Sequence, residues 1–182
     1  MFQLKTIAND LGAEYFGQEP EATSVSIDTR TLLSGALFVA IVGPHFDGHD
    51  FVSQAISQGA VAVMVNSRLN IDVPQLVVKD TTAALGEIAS LHRKKFKIPV
   101  IGITGSCGKT GTKEMTASIL SQMGPTLATA GNLNNQYGVP LTLLRLNHTH
   151  QSAVIEMGTS QPGEIEYLST LVNPTLSLST FL

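Results

Sequence analysis

The stretch Val100-Ile-Gly-Ile-Thr-Gly-Ser-Cys-Gly-Lys-Thr110 runs from an apolar segment through a glycine-rich loop to the predicted start of a helix. Its first four residues predict a buried strand. Glycines let backbone N–H groups approach phosphate oxygens, and the N-terminus of the following helix adds partial positive charge. Lys109 is expected to reach the β- and γ-phosphates of a nucleotide, and the Thr110 hydroxyl to coordinate Mg²⁺. The stretch therefore predicts a phosphate-binding loop.

This loop is a shortened form of the usual phosphate-binding pattern. The pattern G-x-x-x-x-G-K-[ST] is not met, because Ile103 stands where its first glycine is required. The sequence offers Thr104-Gly105-x-x-Gly108-Lys109-Thr110 instead. The alternative is an ordinary glycine-rich turn between a strand and a helix. The predicted strand and helix on either side favour phosphate binding.

Strand-like and helix-like segments alternate on both sides of this loop. In the second half, strands are predicted over 100–103, 126–130, 153–156 and 175–181, and helices over 109–123, 139–146 and 164–172. This alternation indicates βαβ units and a parallel sheet covered on both faces. Because the chain stops within or just after its last predicted strand, we expect it to be the front part of a longer protein.

The first half predicts a smaller α/β unit. Apolar residues on one face predict a first helix over 4–16. Strands are predicted over 24–27, 37–42, 61–65 and 75–78, with a helix from residue 51 that stops at Gly59. A long helix is predicted from Asp80 to about Lys97. The predicted domains are residues 1–82 and 83–182, both of the α/β class.

Composition excludes several classes of protein. The chain has 182 residues, 43% hydrophobic and 14% charged, with a formal net charge of −3. This balance excludes disorder and gives no electrostatic support for nucleic-acid binding. Its apolar runs are far shorter than the ~20 residues that cross a bilayer. The single cysteine, Cys107, cannot form an internal disulfide, and the chain start lacks signal-peptide features, so we expect a cytoplasmic protein.

A carboxylate ends another predicted buried strand, Ala153-Val-Ile-Glu156. Ligands bind at the carboxyl ends of parallel strands. In proteins with phosphate-binding loops, an acidic residue at such an end helps to hold Mg²⁺. Many strands end in glutamate, so this expectation for Glu156 depends on the loop at residues 104–110.

Three further polar segments follow apolar runs. Gly131-Asn-Leu-Asn-Asn135 offers amide donors and acceptors, although plain turn formation is the alternative. In the first half, the arginine of Asp28-Thr-Arg30 could bind phosphate bidentately. The segment Gly43-Pro-His-Phe-Asp-Gly-His-Asp50 contains two histidines at a spacing compatible with a metal, but a polar loop is favoured.

These segments together resemble the Mur ligase family. The resemblance is carried by the short phosphate-binding loop and by four longer strings, which are Gly131-Asn-Leu-Asn-Asn-Gln-Tyr-Gly-Val-Pro-Leu-Thr-Leu-Leu144, Val154-Ile-Glu-Met-Gly158, Leu37-Phe-Val-Ala40 and Phe46-Asp-Gly-His-Asp-Phe51. The longer strings are most similar to the branch of the family that adds D-alanyl-D-alanine. The resemblance covers essentially the whole chain.

The resemblance implies a domain order and a reaction. Members have a UDP-binding domain, a central ATP-binding domain and a C-terminal domain; residues 1–82 match the first and residues 83–182 the front of the second. ATP phosphorylates the terminal carboxylate of UDP-N-acetylmuramoyl-tripeptide. The amine of D-Ala-D-Ala then attacks the acyl phosphate and releases phosphate, a step of peptidoglycan synthesis.

The resemblance also implies roles for particular residues. Lys109 and Glu156 would be catalytic, and Thr110 and Glu156 would hold Mg²⁺. Those expected to bind ATP are Gly105, Ser106, Cys107, Gly108, Lys109, Thr110 and Gly111. Those expected near the UDP-linked substrate are Thr29, Arg30, Phe46, Asp47, Gly48, His49, Asn134 and Asn135.

Some features depart from the family pattern. Position 107 is usually Asn, Ser or Thr, and position 111 is usually Thr or Ser, whereas here they are Cys and Gly. The family's carbamylated lysine and C-terminal domain lie beyond residue 182, so we expect this chain to bind ligands without turnover. Two alternatives stay open: a sibling Mur or folylpolyglutamate-type ligase with another substrate, and a non-catalytic module that binds a UDP-sugar or nucleotide.

Overall fold

Two β-sheets, one in each half of the chain, organise the structure, a computed structural model that describes residues 2–181. The chain divides into the compact units Met1–Leu85 and Gly86–Leu182. The outermost residues of the predicted domains, Met1 and Leu182, lie outside the described residues. The predicted α/β class is confirmed. The boundary predicted after residue 82 and the division after Leu85 fall in the same helix, and the ligand assigned to each domain stays a prediction.

The first unit is built on a five-stranded sheet. Its elements are α1 (Leu4–Leu11), β1 (Glu14–Phe16), β2 (Ser24–Ser26), a 3₁₀ helix (Thr29–Thr31), β3 (Ala36–Val39), a second 3₁₀ helix (Gly48–Phe51), α2 (Val52–Ser57), β4 (Ala62–Val65), β5 (Gln75–Val77) and the start of α3 (Thr81–Lys94). The strand order is β1-β5-β4-β3-β2, with β1 antiparallel to β5 and the other pairs parallel. Phe38, Val52 and Val63 belong to its buried core.

The helix predicted over 4–16 is wrong in its second half. α1 ends at Leu11 because Gly12 adopts a left-handed conformation with φ of 61°, which glycine tolerates without steric cost. The chain then enters β1, where Tyr15 pairs with Leu76 and Phe16 with Gln75. Aromatic residues favour strands, but a strand of three residues is too short to show an alternating pattern.

The second unit contains four parallel strands in the order β7-β8-β6-β9. Its elements are the rest of α3, β6 (Val100–Gly105), α4 (Lys109–Ser121), β7 (Thr126–Ala128), α5 (Gly138–Leu143), β8 (Ser152–Glu156), α6 (Glu164–Val172) and β9 (Leu176–Thr180). Each predicted element of this half is present, with ends shifted by a few residues. Because the strands are parallel, the segments that follow β6, β7 and β8 leave the sheet at one edge.

Helices α4 and α6 pack on the sheet of the second unit. α4 packs on β7 and β8, and α6 packs on β6 and α5. The apolar contact under α4 is formed by Ile103, Ala117 and Val154. β9 is an outer strand whose side chains Leu176 and Leu178 are exposed. No helix among residues 2–181 is long and apolar enough to span a membrane.

Candidate functional site: a phosphate-binding loop beside a buried carboxylate

The loop after β6 depends on two glycines. Gly105 has φ of 137°, and a Cβ atom there would lie 2.0 Å from the backbone oxygen of Thr180. Gly108 has φ of 78° and directly precedes α4. Both conformations are strained for residues with a side chain. The glycines thus allow the tight turn that connects β6 to the N-terminus of α4.

The end of β9 supports this loop. The Ser106 N–H donates to the Thr180 backbone oxygen at 3.0 Å. The Thr180 hydroxyl lies 2.5 Å from the Cys107 carbonyl oxygen, to which it donates. These contacts connect residues more than 70 positions apart, so local sequence patterns could not have revealed them. The Cys107 side chain is exposed.

Lys109 lies at the mouth of the loop. Its Nζ donates to the Gly105 carbonyl oxygen at 2.7 Å, so the side chain folds back over the loop. Thr110 and Gly111 are exposed in the first turn of α4. Lys109 also lines a cavity of about 320 Å³ together with Asn134 and Asn135. The lining residues that the sequence did not indicate are Gln136, Gly158, Thr159, Ser160, Glu164, Tyr167 and Leu168.

Glu156 is a buried carboxylate at the end of β8, only 1% exposed. Its Oε1 accepts a hydrogen bond of 2.8 Å from the Asn134 side chain. Its Oε2 is buried without a hydrogen-bond partner. A buried carboxylate oxygen without a partner is unfavourable unless a cation or donor satisfies it. Because carboxylate oxygens suit Mg²⁺, this group fits the metal that the resemblance implies.

The two asparagines predicted at this edge have different positions. Asn134 links Glu156 to the segment after β8, since its backbone oxygen accepts from the Gly158 N–H at 2.8 Å. Asn135 accepts from the Gly138 N–H at 2.9 Å and so caps the start of α5. Its side-chain oxygen therefore has a structural use, although the residue also lines the cavity.

A second carboxylate, Glu164, lies on the far wall of this cavity at the start of α6. It accepts hydrogen bonds from the Ser160 and Gln161 N–H groups at 2.6 and 3.0 Å. These backbone donors hold the pKa of Glu164 below its ordinary value. The carboxylate thereby holds the segment after β8 in a fixed turn.

The first unit contains a separate cavity of about 550 Å³. Four of the residues predicted near a UDP-linked substrate line it: Thr29, Arg30, Phe46 and Gly48. The lining also includes five residues that were not among those expected near the substrate, which are Ile27, Asp28, Phe38, Phe51 and Gln54. The structure therefore brings the segments after β2 and β3 together, as their positions at strand ends suggested.

Arg30 is held by a neighbouring carboxylate. Its guanidinium donates to both Asp28 carboxylate oxygens, with Nη2 2.7 Å from Oδ2, while its side chain stays 85% exposed. The hydrogen bond from the Arg30 side chain lowers the pKa of Asp28. A bound anion would have to share or replace this carboxylate.

Asp47 and His49 do not line this cavity; they hold its wall in place. The Asn66 N–H donates to His49 Nε2 at 3.1 Å, so this nitrogen is unprotonated. The proton is therefore on Nδ1, which lies 2.5 Å from Asp47 Oδ1 and donates to it. The backbone N–H of His49 also donates to Asp47 and lowers the pKa of that carboxylate. Both ring nitrogens are thus in use, and residues 2–181 contain no cluster of three metal-ligating side chains.

Comparison with known proteins identifies the family of this chain. The description "Mur ligase family, catalytic domain" matches residues 21–105, and "Mur ligase middle domain" matches residues 103–182. The chain belongs to the Mur ligase family. This Mur ligase chain is 49% identical over 175 residues to the UDP-N-acetylmuramoyl-tripeptide–D-alanyl-D-alanine ligase of Escherichia coli strain K12, a match that covers 96% of the chain.

Solved structures of MurF ligases have the same fold. One from Acinetobacter baumannii superposes with a TM-score of 0.90 at 38% identity over 98% of this Mur ligase chain and 40% of its own. One from Thermotoga maritima, solved in complex with ADP, gives a TM-score of 0.76 at 32% identity over 87% of this chain and 38% of its own. The chain spans 39% of the length of the Escherichia coli relative.

Proposed function

We propose that this Mur ligase chain carries the UDP-substrate-binding and the nucleotide-binding parts of a cytoplasmic, ATP-dependent carbon–nitrogen ligase of peptidoglycan synthesis. The reaction would join D-alanyl-D-alanine to UDP-N-acetylmuramoyl-tripeptide through an acyl phosphate. The observation that carries the proposal is the unpartnered Oε2 of buried Glu156, which lies at the same sheet edge as the loop that bears Lys109.

The loop supplies the groups that bind phosphate. Its backbone N–H groups and the N-terminus of α4 favour negative charge. On nucleotide binding, Lys109 would exchange the Gly105 carbonyl oxygen for phosphate oxygens. Its ammonium would then stabilise the negative charge of the phosphoryl group during transfer to the substrate carboxylate. The ADP complex of the Thermotoga maritima relative supports a nucleotide at this loop.

Glu156 and Thr110 are the residues proposed to hold Mg²⁺. The free Oε2 of Glu156 supplies an anionic oxygen, and Thr110 supplies a hydroxyl from the first turn of α4. When bound, the metal would neutralise negative charge on the nucleotide phosphates. Asn134 would keep the carboxylate oriented through its hydrogen bond to Oε1.

The cavity of the first unit is proposed to bind the UDP moiety. Its exposed aromatic side chains Phe46 and Phe51 offer flat apolar surfaces for a base, and Arg30 offers guanidinium donors for a diphosphate. Asp47 and His49 would act indirectly, since they fix the segment that carries Phe46.

Relatives support the D-alanyl-D-alanine branch over its siblings. Those named as UDP-N-acetylmuramoyl-tripeptide–D-alanyl-D-alanine ligases include proteins of Escherichia coli and Bacillus subtilis, at 49% and 40% identity. The attack by D-Ala-D-Ala would also need the part of the relatives' length that this chain does not span.

Calorimetric titration of the 182-residue chain with UDP-N-acetylmuramoyl-tripeptide, without ATP, tests the substrate assignment. We expect saturable binding that weakens about 10-fold or more in Arg30→Ala, because hydrogen bonds to charged groups contribute about 1.5–3 kcal/mol. Arg68→Ala is the matched control, since that arginine stacks on Phe16 and does not line the cavity.

Several results would contradict the assignment. A folded chain that binds no UDP-linked ligand would do so, as would equal losses in the two arginine variants. Stronger binding of UDP-N-acetylmuramoyl-dipeptide would move the chain to a sibling branch. Binding of the UDP-sugar with no nucleotide binding at the loop would favour the non-catalytic module.

A further inference from the structure

Lys113 is a fully buried lysine on α4, with 0% of its surface exposed. It lies one turn after Lys109, on the sheet-facing side of the helix with Ala117. Lysine is almost never fully buried unless its charge is paired, because the ammonium must give up its water. An apolar residue would fill this position without the cost of desolvating a charge. The role of the residue therefore depends on which groups the ammonium contacts.

The contacts of Lys113 point toward the sheet edge. Its Nζ donates to the Thr129 carbonyl oxygen at 2.9 Å and lies 2.7 Å from Glu114 Oε1. Glu114 lies in the same helix, with its side chain 66% exposed, so this ion pair does not connect α4 to the sheet. The buried carbonyl of Thr129, just beyond the end of β7, is the contact that ties Lys113 to the sheet.

Thr129 connects Lys113 to the backbone of Glu156, the residue that bears the buried carboxylate. Its hydroxyl oxygen accepts from the Glu156 N–H at 2.9 Å, and its own N–H donates to the Val154 oxygen at 3.1 Å. Thr129 is itself only 1% exposed. A continuous hydrogen-bonded path thus runs from Lys113 through Thr129 to the backbone of Glu156.

We propose that Lys113 is a positioning residue that fixes the Glu156 carboxylate relative to the first turn of α4. The helix that carries Lys113 begins at Lys109 and Thr110, so its anchor on Thr129 ties the phosphate-binding loop to the strand end that carries the carboxylate. The spacing between Thr110 and Glu156 is then set before any ligand arrives. This inference rests on the proposed nucleotide and Mg²⁺ site, and it adds a residue to that site.

The test measures how ADP binding depends on Mg²⁺. The 182-residue chain is titrated with ADP by calorimetry at increasing Mg²⁺ concentrations and in EDTA. In Lys113→Met, whose unbranched side chain is one atom shorter and carries no charge, we expect unchanged ADP affinity in EDTA. The Mg²⁺ concentration for half-maximal enhancement should rise about 10-fold or more, the loss typical of residues that orient metal ligands.

Variants of Thr129 separate positioning from general stability. Thr129→Val removes the acceptor for the Glu156 N–H and should shift the Mg²⁺ dependence in the same way, whereas Thr129→Ser keeps an acceptor and should restore it. Thr126→Val is the control, because it breaks the Thr126–Ser152 hydrogen bond of 2.8 Å at the opposite end of the same two strands. It should lower the melting temperature without changing the Mg²⁺ dependence.

The outcomes separate the positioning role of Lys113 from the proposed Mg²⁺ site. A folded Lys113→Met variant with the Mg²⁺ dependence of the unaltered chain would overturn the positioning role, as would an equal shift in Thr126→Val. Should Lys113→Met not fold, equal Mg²⁺ dependence in Thr129→Val and Thr129→Ser would overturn it. An unaltered chain whose ADP binding ignores Mg²⁺ would instead overturn the proposed metal site, and the inference with it.

Discussion

Replacing Gly105 with alanine should destabilise the second unit far more than the same change at Gly111. At Gly105, a new Cβ would lie 2.0 Å from the Thr180 backbone oxygen and 2.6 Å from its backbone nitrogen. The backbone of β9 would have to move, because none of these atoms belongs to a flexible side chain. The φ of 137° adds strain of its own. At Gly111, within helix α4, a Cβ would meet no atom within 4 Å.

The magnitudes follow from these two environments. Overpacking costs about 1–3 kcal/mol and a strained backbone conformation a further 1–3 kcal/mol, so Gly105→Ala should lose about 2–6 kcal/mol. Gly111→Ala should gain about 0.5–1 kcal/mol, because alanine is the better helix former. Both changes restrict the unfolded chain equally. The difference between the variants therefore measures strain in the folded state alone.

Urea denaturation followed by circular dichroism, together with calorimetric melting, measures both variants. A domain of 60–100 residues shifts its Tm by about 4–8 °C per kcal/mol, so Gly105→Ala should melt at least about 8 °C lower. Gly111→Ala should melt about 2–8 °C higher. Equal stabilities of the two variants would refute the argument, because they would mean that β9 does not pack against the loop.

Three further outcomes are expected. Arg93→Met should lose about 2–4 kcal/mol of unfolding free energy in urea, since the buried guanidinium donates to three backbone oxygens that would lose their partner; a loss below about 0.5 kcal/mol, the scatter of surface substitutions, would contradict this. The pKa of Asp28 is lowered by Arg30, so its contribution is present above the ordinary Asp value of 3.8 and is lost as pH falls below it. As the pH falls through this acid range, the free energy of unfolding of Asp28→Asn should therefore decrease less than that of the unaltered chain. An identical pH dependence of the two proteins would count against the pairing of Asp28 with Arg30. Because β9 is an outer strand of its sheet within residues 2–181 and has exposed apolar side chains, light scattering should detect concentration-dependent association that Leu178→Lys reduces; a single monomeric species at high concentration would oppose this.

The sequence predicts the second unit well because its elements are long enough to show periodicity. α4 and α6 each cover more than two turns, and β8 contains the apolar run Ala153-Val-Ile155. The position of Glu156 beside the predicted phosphate-binding loop then follows from parallel strand geometry. β1 escaped prediction because its residues fall within the helix predicted over 4–16, and pairing with β5 makes them a strand.

Contacts between distant residues lie outside what local patterns can predict. The support of the loop by Thr180 crosses more than 70 residues, and nothing in the run Leu176–Thr180 marks it. Lysine residues in helices are usually exposed. Lys113 is buried, and the buried carbonyl of Thr129 accepts a hydrogen bond from its ammonium. The place of His49 near the substrate stays a prediction, and the hydrogen bond between its ring and the Asn66 N–H, 17 positions away, had no signal in the sequence.

The central claim is that the loop binds a nucleotide with the help of Mg²⁺ held at Glu156. The most direct measurement is a calorimetric titration of the chain with ADP, with and without Mg²⁺, for the unaltered chain and for Lys109→Ala and Glu156→Gln. The account predicts that Lys109→Ala weakens binding under both conditions, whereas Glu156→Gln abolishes only the enhancement by Mg²⁺. An affinity for ADP that is unchanged in Lys109→Ala, or an enhancement by Mg²⁺ that survives in Glu156→Gln, would contradict it.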